Sequence, residues 1–373
     1  MGGAVLRCSR CGRNLGDGYL KTRCPFCGGL PLIFYKDSRF RPDHSMPGIW
    51  RYSSLLPQLS KRISRGEGLT PISRIGKIYV KNERFNPTGS YADRASAVIV
   101  SYIASSGLKR AAIKYEEAFT RSMAYYLANS EVYEIIYCVE DPLEVSVEDF
   151  LYLLEKGEVS TCNKNPETAV IEYSNPLTIE GLKTIVYELY ERRIRFKYVV
   201  VPAKTGVLAI SLAKGMRELE EAGLDIDYEV VAAIKKGDPV PEVIKGESRV
   251  KLVEIDDLDI IKSLKELADR GIYTAPLSAV GYHVASQLGE AVAIITIGYR
   301  TSGRRRGSEL RRVVMKTLER LSRATAYEIW RENQGYSLRG IYKAVRSMAE
   351  EGVVCEEVVA RGNRKVRRYS ICQ

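Results

Sequence analysis

Four cysteines near the N-terminus form the strongest local pattern in the chain. They are two Cys-x2-Cys pairs with twelve residues between them: Cys8, Cys11, Cys24 and Cys27. Thiolates at this spacing suit a closed tetrahedral zinc site, and the neighbouring glycines allow the tight turns that such knuckles need. Because four sulfur ligands leave no position open for water, we predict a structural zinc ribbon over residues 1–35. A pair of disulfides is the alternative, and it fits a reducing cytosol less well.

The remaining reactive side chains give little material for common catalytic arrangements. The chain has two histidines, His44 and His283, which is too few for a multi-histidine metal site. Glu116 and Glu117 are adjacent acids, a pattern more typical of a solvated or salt-bridged pair than of acid–base catalysis. The other cysteines show no pairing pattern, and we expect buried or incidental thiols at Cys138, Cys162, Cys355 and Cys372.

The middle of the chain alternates short apolar runs with amphipathic stretches. Strands are predicted at 77–81, 111–114, 131–139, 169–173, 198–201 and 292–297, and helices at 91–105, 121–129, 179–192 and 207–222. Such alternation predicts an α/β fold, in which helices cover both faces of mostly parallel sheets. Ligand clefts in such folds lie at the carboxyl ends of the strands.

One loop of this region resembles a known family. Residues 86–94 read Asn-Pro-Thr-Gly-Ser-Tyr-Ala-Asp-Arg, which is similar to the threonine synthase signature Asn-Pro-Thr-Gly-Ser-aromatic-Lys-Asp-Arg. Further similar stretches occur in the family's order at 49–57, 66–71, 175–184 and 201–202, so the resemblance covers about residues 5–300. It implies a two-lobed core of the fold type II class of pyridoxal-phosphate (PLP) enzymes, which we assign to residues 36–303.

Three positions depart from the pattern that the resemblance implies for a PLP site. Ala92 replaces the lysine that carries the cofactor, and Glu116-Glu117-Ala118-Phe119-Thr120 replaces the family's Ser-Thr-Gly-Asn-Thr. The Gly-rich phosphate loop is reduced to Ala203-Lys204-Thr205-Gly206. A methyl group cannot form an imine, so PLP is not expected and we predict a pseudoenzyme. The vestigial cleft, in which a small anionic metabolite would be the partner, would be lined by Asn86, Thr88, Ser90, Lys204, Thr205 and Gly206.

The last seventy residues have a pattern that the family does not have. After a basic linker at 301–307, helices are predicted at 310–321, 324–333 and 337–351, followed by β-branched runs at 353–360 and 365–371. Arg361-Gly362-Asn363-Arg364 joins the two runs as the turn of a hairpin. Three helices and a hairpin resemble a winged helix-turn-helix domain, which we assign to residues 304–373.

The charge of the chain is concentrated in this tail. Residues 304–373 contain 17 Lys and Arg against 8 Asp and Glu, a net charge of +9, whereas the whole chain carries +11. A basic domain of this kind indicates a polyanionic partner, here double-stranded DNA. A solvated helix face, a protein contact and RNA are the alternatives. The predicted DNA-binding residues lie on the third helix and the wing: Ser337, Arg339, Lys343, Arg346, Arg361, Arg364, Lys365, Arg367 and Arg368.

The sequence thus favours a catalytically inactive threonine synthase homologue that binds DNA, as a transcriptional regulator or a chromosome-associated protein. The alternatives are a threonine synthase-like enzyme, altered or inactivated, and a protein-interaction scaffold. No apolar run of membrane-spanning length and no signal peptide is present, so we expect a cytoplasmic, nucleoid-associated protein. We also expect a homodimer formed through the core, which would place two such helices on a palindromic DNA site.

Overall fold

The computed structural model describes residues 4–36, 39–128, 130, 132, 134–162, 169–299, 304–334, 336–361 and 364–372. The chain divides into two compact units, Met1–Arg300 and Thr301–Gln373. In the described ranges, no helix is both long and apolar enough to cross a bilayer.

The first unit begins with a small antiparallel ribbon. Strand β1 (Ala4–Cys8) pairs with β2 (Pro31–Tyr35), so that Cys8 stands opposite Pro31. Leu6, Leu32 and Ile33 of this ribbon are buried and belong to the main hydrophobic core. The ribbon is therefore packed onto the rest of the first unit.

The larger part of the first unit is an α/β core with two parallel sheets, as predicted. Its elements in chain order are β3 Ile72–Ile75, β4 Ile78–Asn82, α1 Ala92–Ser106, β5 Arg110–Lys114, α2 Glu117–Leu127, β6 Glu134–Val139, α3 Val147–Leu154, β7 Glu158–Thr161, β8 Ala169–Ile171, α4 Pro176–Glu191, β9 Tyr198–Pro202, α5 Val207–Glu221, β10 Glu229–Lys235, β11 Val250–Ile255, α6 Asp257–Asp269, β12 Tyr273–Thr274, α7 Pro276–Leu288, β13 Ala291–Ile295 and β14 Gly298–Tyr299.

Each lobe of this core is built on one sheet. The six-stranded sheet has the order β11-β10-β9-β13-β4-β3, and all its pairs are parallel except β3 with β4. The four-stranded sheet has the order β7-β6-β5-β8 and is entirely parallel. Strands β9 and β13 are continuous apolar runs, as expected for strands buried on both faces.

Helices α1 and α4 pack closely beneath the predicted site. A side chain at Gly181 on α4 would overlap the carbonyl oxygen of Arg94 on α1, so only glycine permits this approach. The close contact explains why the stretch 175–184 carries a glycine at this place.

The second unit contains three helices and a hairpin. Its elements are α8 Arg304–Leu321, α9 Ala326–Glu332, α10 Leu338–Glu350, β15 Val354–Arg361 and β16 Arg364–Ile371. The linker prediction was too long, because α8 already begins at Arg304. The predicted turn residues Gly362 and Asn363 lie outside the described residues, as do Thr301, Ser302 and Gly303. Assignment to the winged helix class stays a prediction.

Two disulfides correct the expectation of incidental thiols. Cys138 is bonded to Cys162, and Cys355 to Cys372, with Cα atoms 4.7 and 5.1 Å apart. In each case the pairing of two strands brings the cysteines together: β6 lies beside β7, and β15 beside β16. Strand pairing is a long-range feature, so the cysteine spacing alone did not reveal the bonds.

Candidate functional site

The N-terminal cysteines converge on one point. All four sulfur atoms lie within 4.8 Å of one another, with Cys8 Sγ 3.4 Å from Cys27 Sγ and Cys11 Sγ 3.8 Å from Cys24 Sγ. Ligands at about 2.3 Å from a tetrahedral zinc would be roughly 3.8 Å apart, so the arrangement is compatible with the predicted metal. The four cysteines are free thiols, which corrects the disulfide alternative.

The backbone around the cluster favours a thiolate at Cys8. Burial opposes ionisation of the Cys8 thiol, but the N–H groups of Cys11 and Arg10 donate to its sulfur and lower the pKa of Cys8 to about 6. A Cβ at Gly29 would come within 2.8 Å of Cys8 Sγ, so the second knuckle requires glycine there. The site has donors suited to a metal and no space for a further side chain.

One zinc per chain is expected after purification under reducing conditions. Removal of the ion should raise hydrogen exchange in residues 4–35, while the parallel sheets, whose apolar cores are formed mainly by residues outside the ribbon, keep their far-UV circular dichroism. Metal analysis and hydrogen exchange measure the two effects. The double variant Cys138→Ser/Cys162→Ser is the control and should retain the metal. Protein free of zinc, with a disulfide among the four cysteines, would contradict the prediction.

Ala92 is the first residue of α1 and is buried. Its backbone N–H donates to Ser90 Oγ at 3.1 Å. The next residue, Asp93, accepts hydrogen bonds from Thr88 Oγ1 and Ser122 Oγ at 2.6 Å each. Burial is the main influence on Asp93 and raises its pKa to about 6, although these hydrogen bonds act to lower it.

Three of the six predicted cleft residues, Asn86, Thr88 and Ser90, use their side chains in hydrogen bonds within the protein. Both ends of the Asn86 amide are used there: Nδ2 donates to Glu83 and Oδ1 accepts from the Gly68 N–H. Thr88 bonds to Asp93, and Ser90 caps the N–H of Ala92. These three residues do not line the cavity that remains beside the loop. Their place in the wall of the vestigial cleft stays a prediction.

The other three predicted cleft residues, Lys204, Thr205 and Gly206, do line a cavity. Its volume is about 120 Å³, well below the roughly 300–1,000 Å³ that is usual for small-molecule sites. Tyr91 Oη lies 2.7 Å from Tyr173 Oη, and Phe119 packs edge-on against Tyr173, so aromatic rings fill much of the space. The cavity is lined by Tyr91, Glu116, Glu117, Ala118, Phe119, Tyr173, Pro202, Lys204, Thr205, Gly206, Leu208, Leu277, Thr296 and Ile297.

Two acids and one base line this cavity, namely Glu116, Glu117 and Lys204. Burial raises the pKa of Glu116, and the positive charges of Lys204 and Lys114 oppose that shift. Gly206 begins α5 with φ 77°, and a Cβ there would collide with Val243 and Ile244. The glycine is thus required by backbone conformation and packing, whether or not an anion binds at the helix N-terminus.

A buried ionic network, which the sequence analysis did not predict, lies beneath the loop. Arg94 pairs with Glu83 and Glu188 at 2.7 and 2.6 Å, and Lys81 also contacts Glu188 at 2.6 Å. All four side chains are almost completely buried. Burial opposes ionisation of Glu188, but Arg94 and Lys81 hold its pKa at about 2. Arg94 could be recognised in the sequence as the last residue of the motif at 86–94. Its ion-pair partner Glu188 is distant in the chain and could not be predicted from that motif.

In the second unit, α10 presents basic residues outward. Ser337 caps the helix by accepting from the Gly340 N–H at 3.1 Å, and Ile341, Val345 and Met348 are buried. The predicted contact residues Arg339, Lys343 and Arg346 are all exposed, as expected. They therefore form one accessible basic face with Ser337 at its N-terminal end.

Part of the predicted basic surface is neutralised within the unit. Arg346 pairs with Glu350 at 3.1 Å, and Arg367 pairs with Glu356 at 3.0 Å. Arg368 is half-buried in β16. The side chains of Arg361, Arg364 and Lys365 lie outside the described part of the structure. Arg339 and Lys343 are consequently the best-placed described candidates for contact with a polyanion.

Comparison with known proteins shows similarity of the chain to threonine synthases and to a cysteate synthase. No protein-family model matches the chain. Threonine synthase of Methanosarcina acetivorans is 25% identical over 276 residues, which are 63% of this chain and 68% of that enzyme. Threonine synthase of Methanocaldococcus jannaschii is 27% identical over 281 residues, 66% and 69% of the two chains. A 57-residue stretch is 44% identical to cysteate synthase of Methanothrix thermoacetophila, 15% of this chain and 13% of that one.

Solved structures agree on the fold. Serine racemase from Dictyostelium discoideum superposes with a TM-score of 0.52 at 17% identity, covering 61% of this chain and 91% of that one. O-ureido-L-serine synthase superposes with a TM-score of 0.50 at 18% identity, covering 61% of this chain and 89% of that one. The chain is thus homologous to threonine synthases, and its α/β core has the fold type II architecture that the resemblance implied.

The residues present do not fit the PLP cofactor of that fold type. The lysine position is the buried Ala92, which does not border the cavity. Among the described lining residues Lys204 is the one basic side chain, and it is exposed and faces Glu116. The aromatic rings of Tyr91, Phe119 and Tyr173 occupy the space.

Proposed function

We propose that this protein is a catalytically inactive homologue of threonine synthase that acts as a DNA-binding regulator or chromosome-associated protein. The observation that carries the first half is Ala92, a methyl group buried at the place where the resemblance puts the cofactor lysine. The small aromatic-filled cavity beside it supports the same conclusion. A methyl group at this position cannot form the imine on which the chemistry of such enzymes depends.

The second half of the proposal rests on the tail. Its net charge of +9, the exposed Arg339 and Lys343 on α10, and the hairpin that follows favour duplex DNA as the partner. In the helix-turn-helix class the corresponding helix enters the major groove and the wing contacts phosphates. A homodimer formed through the first unit would present two such helices to a palindromic site in the nucleoid.

The remaining cavity is proposed as a sensor site in this scheme. Glu116, Glu117 and Lys204 give it charged groups of both signs, and Thr205 and Thr296 supply hydroxyl groups. Its size limits the ligand to a small amino acid or a phosphate-sized anion. Binding there would regulate the DNA-binding unit rather than lead to a reaction.

An enzyme of altered chemistry is the second candidate, and the comparisons favour it. The similar proteins carry the names threonine synthase and cysteate synthase, and nothing in the likeness indicates a loss of activity. If this candidate is correct, a lysine other than residue 92 must hold the cofactor, or the reaction must proceed without it.

Purified protein is expected to be colourless. After incubation with PLP and borohydride, no lysine should carry a pyridoxyl group, because Ala92 has no amine and aromatic rings fill the cavity. Absorbance at about 410–420 nm and peptide mass spectrometry test this, with Lys204→Ala as the control for incidental labelling. A stoichiometric adduct on any lysine would establish the enzyme candidate. Colourless protein that also fails to retard DNA would favour an interaction scaffold.

A further inference from the structure

Helix α3 in the smaller lobe turns its apolar stripe away from the protein. Val147, Phe150, Leu151 and Leu154 follow the spacing i, i+3, i+4, i+7 and are all exposed, Val147 by 72% and Leu151 by 57%. A helix at the surface of a globular domain normally packs such a stripe against the core. The exposed stripe therefore indicates a face that is covered by a partner.

Polar contacts hold α3 in this orientation. Asp149, on the opposite side of the helix, is completely buried, accepts a hydrogen bond from Tyr115 Oη at 2.8 Å and pairs with Arg121 at 3.0 Å. Leu153 is buried beside it. Rotation of the helix would withdraw a carboxylate from two partners, so the apolar stripe stays outward.

The stripe borders an apolar groove of about 480 Å³ between α3 and the edge strand β7. Leu143, which precedes α3, is 94% exposed next to it. We call this surface the α3 face. The groove is lined by Val139, Pro142, Val145, Val147, Phe150, Leu151, Val159, Ser160 and Thr161.

The charge around the α3 face identifies its partner. Residues 139–161 contain seven acidic side chains and one lysine, in a chain whose net charge is +11. Two copies of this face would bring like charges together, which disfavours self-association through it. The exposed acids of this segment are Glu140, Asp141, Glu144, Glu148, Glu155 and Glu158.

We propose that the α3 face binds a basic amphipathic helix of another protein. Apolar side chains spaced one helical turn apart would occupy the groove, and Lys or Arg side chains at its flanks would meet the acidic rim. This is the helix-in-groove mode of recognition, in which apolar anchors give affinity and flanking charges give specificity. The interaction is independent of DNA binding by the tail.

Fluorescence anisotropy of the full-length chain at physiological salt tests the proposal. The probe is a labelled 18-residue amphipathic helix of leucine and lysine, and a peptide with glutamate in place of lysine is the comparison. Wild type should bind the lysine peptide with micromolar affinity. Phe150→Ser/Leu151→Ser should weaken binding at least tenfold by removing apolar anchors, and Glu148→Lys/Glu155→Lys should do so by reversing the rim charge.

The matched control is Leu258→Ser/Ile261→Ser on α6, whose side chains are also exposed, by 70% and 61%. It should leave binding within twofold of wild type, and circular dichroism should be the same for all variants. The proposal is overturned if the α3 variants bind the lysine peptide as wild type does. It is also overturned if light scattering shows a dimer that Phe150→Ser/Leu151→Ser converts to monomer, because the face then binds a second copy.

Discussion

Deletion of residues 301–373 is expected to abolish DNA binding. The tail carries +9 of the net charge of +11 and has its own hydrophobic core, separate from the two cores of the first unit. Each phosphate that a basic side chain neutralises releases condensed counterions and contributes about −0.9 to the slope of log K against log salt. The full chain should therefore bind duplex DNA with a steep salt dependence, measured by mobility shift or anisotropy.

Single substitutions should separate the roles of α10 and the wing. Replacing Arg364 and Lys365 by alanine should weaken binding to all sequences alike and reduce the slope by about one to two units. Replacing Arg339 or Lys343 should instead relax sequence preference, at a cost of about 1–3 kcal/mol if the side chain reads a base edge. Lys262→Ala, an exposed lysine of α6, is the control. Unchanged affinity after deletion of the tail would refute the assignment and favour the scaffold.

Arg94→Met should lower the free energy of unfolding by about 3–5 kcal/mol. The substitution leaves Glu83 and Glu188 buried, with Lys81 as their one remaining cationic partner among the described contacts. Removal of one member of a buried ionic network costs far more than removal of an exposed ion. Denaturation by urea, followed by circular dichroism, measures the change. Arg270→Met, which breaks the exposed pair with Glu266 on α6, should change stability by less than about 1 kcal/mol.

The same network predicts the acid behaviour of the wild type. Arg94 and Lys81 lower the pKa of Glu188 from 4.5 to about 2, so its contribution to stability is complete above the unfolded value of 4.5. That contribution decreases as the pH falls from 4.5 toward 2, because the unfolded chain then binds protons that the folded chain does not. Arg94→Met should lose much of this dependence. Equal acid sensitivity of wild type and variant would contradict the central position of Arg94.

The cavity and the names of the relatives point in different directions. Homology to threonine synthases extends over about two thirds of the chain, yet Ala92 has no amine and lies outside the cavity. Fold and function can separate in this way because sheets and helices depend on apolar packing, whereas imine chemistry depends on one lysine. The borohydride and DNA-binding experiments test the two halves of the proposal separately.

Features that depend on neighbouring residues in the chain were predictable from the sequence. The spacing of Cys8, Cys11, Cys24 and Cys27 indicated a four-thiol cluster, since each knuckle is a local turn. The alternation of strands and helices indicated the α/β core, because the period of apolar residues is fixed within each element. The order of three helices and a hairpin in the tail followed from the same kind of local pattern.

Features that depend on contacts between distant residues were decided by the tertiary structure. Asn86 and Thr88 belong to a recognisable motif, but their hydrogen-bond partners Glu83 and Asp93 turn them away from the cavity. Cys138 meets Cys162 only because β6 pairs with β7. The outward stripe of α3 follows from the burial of Asp149 beside Tyr115 and Arg121. A sequence pattern shows which residues share a face, whereas the partners of a buried polar group determine which way that face points.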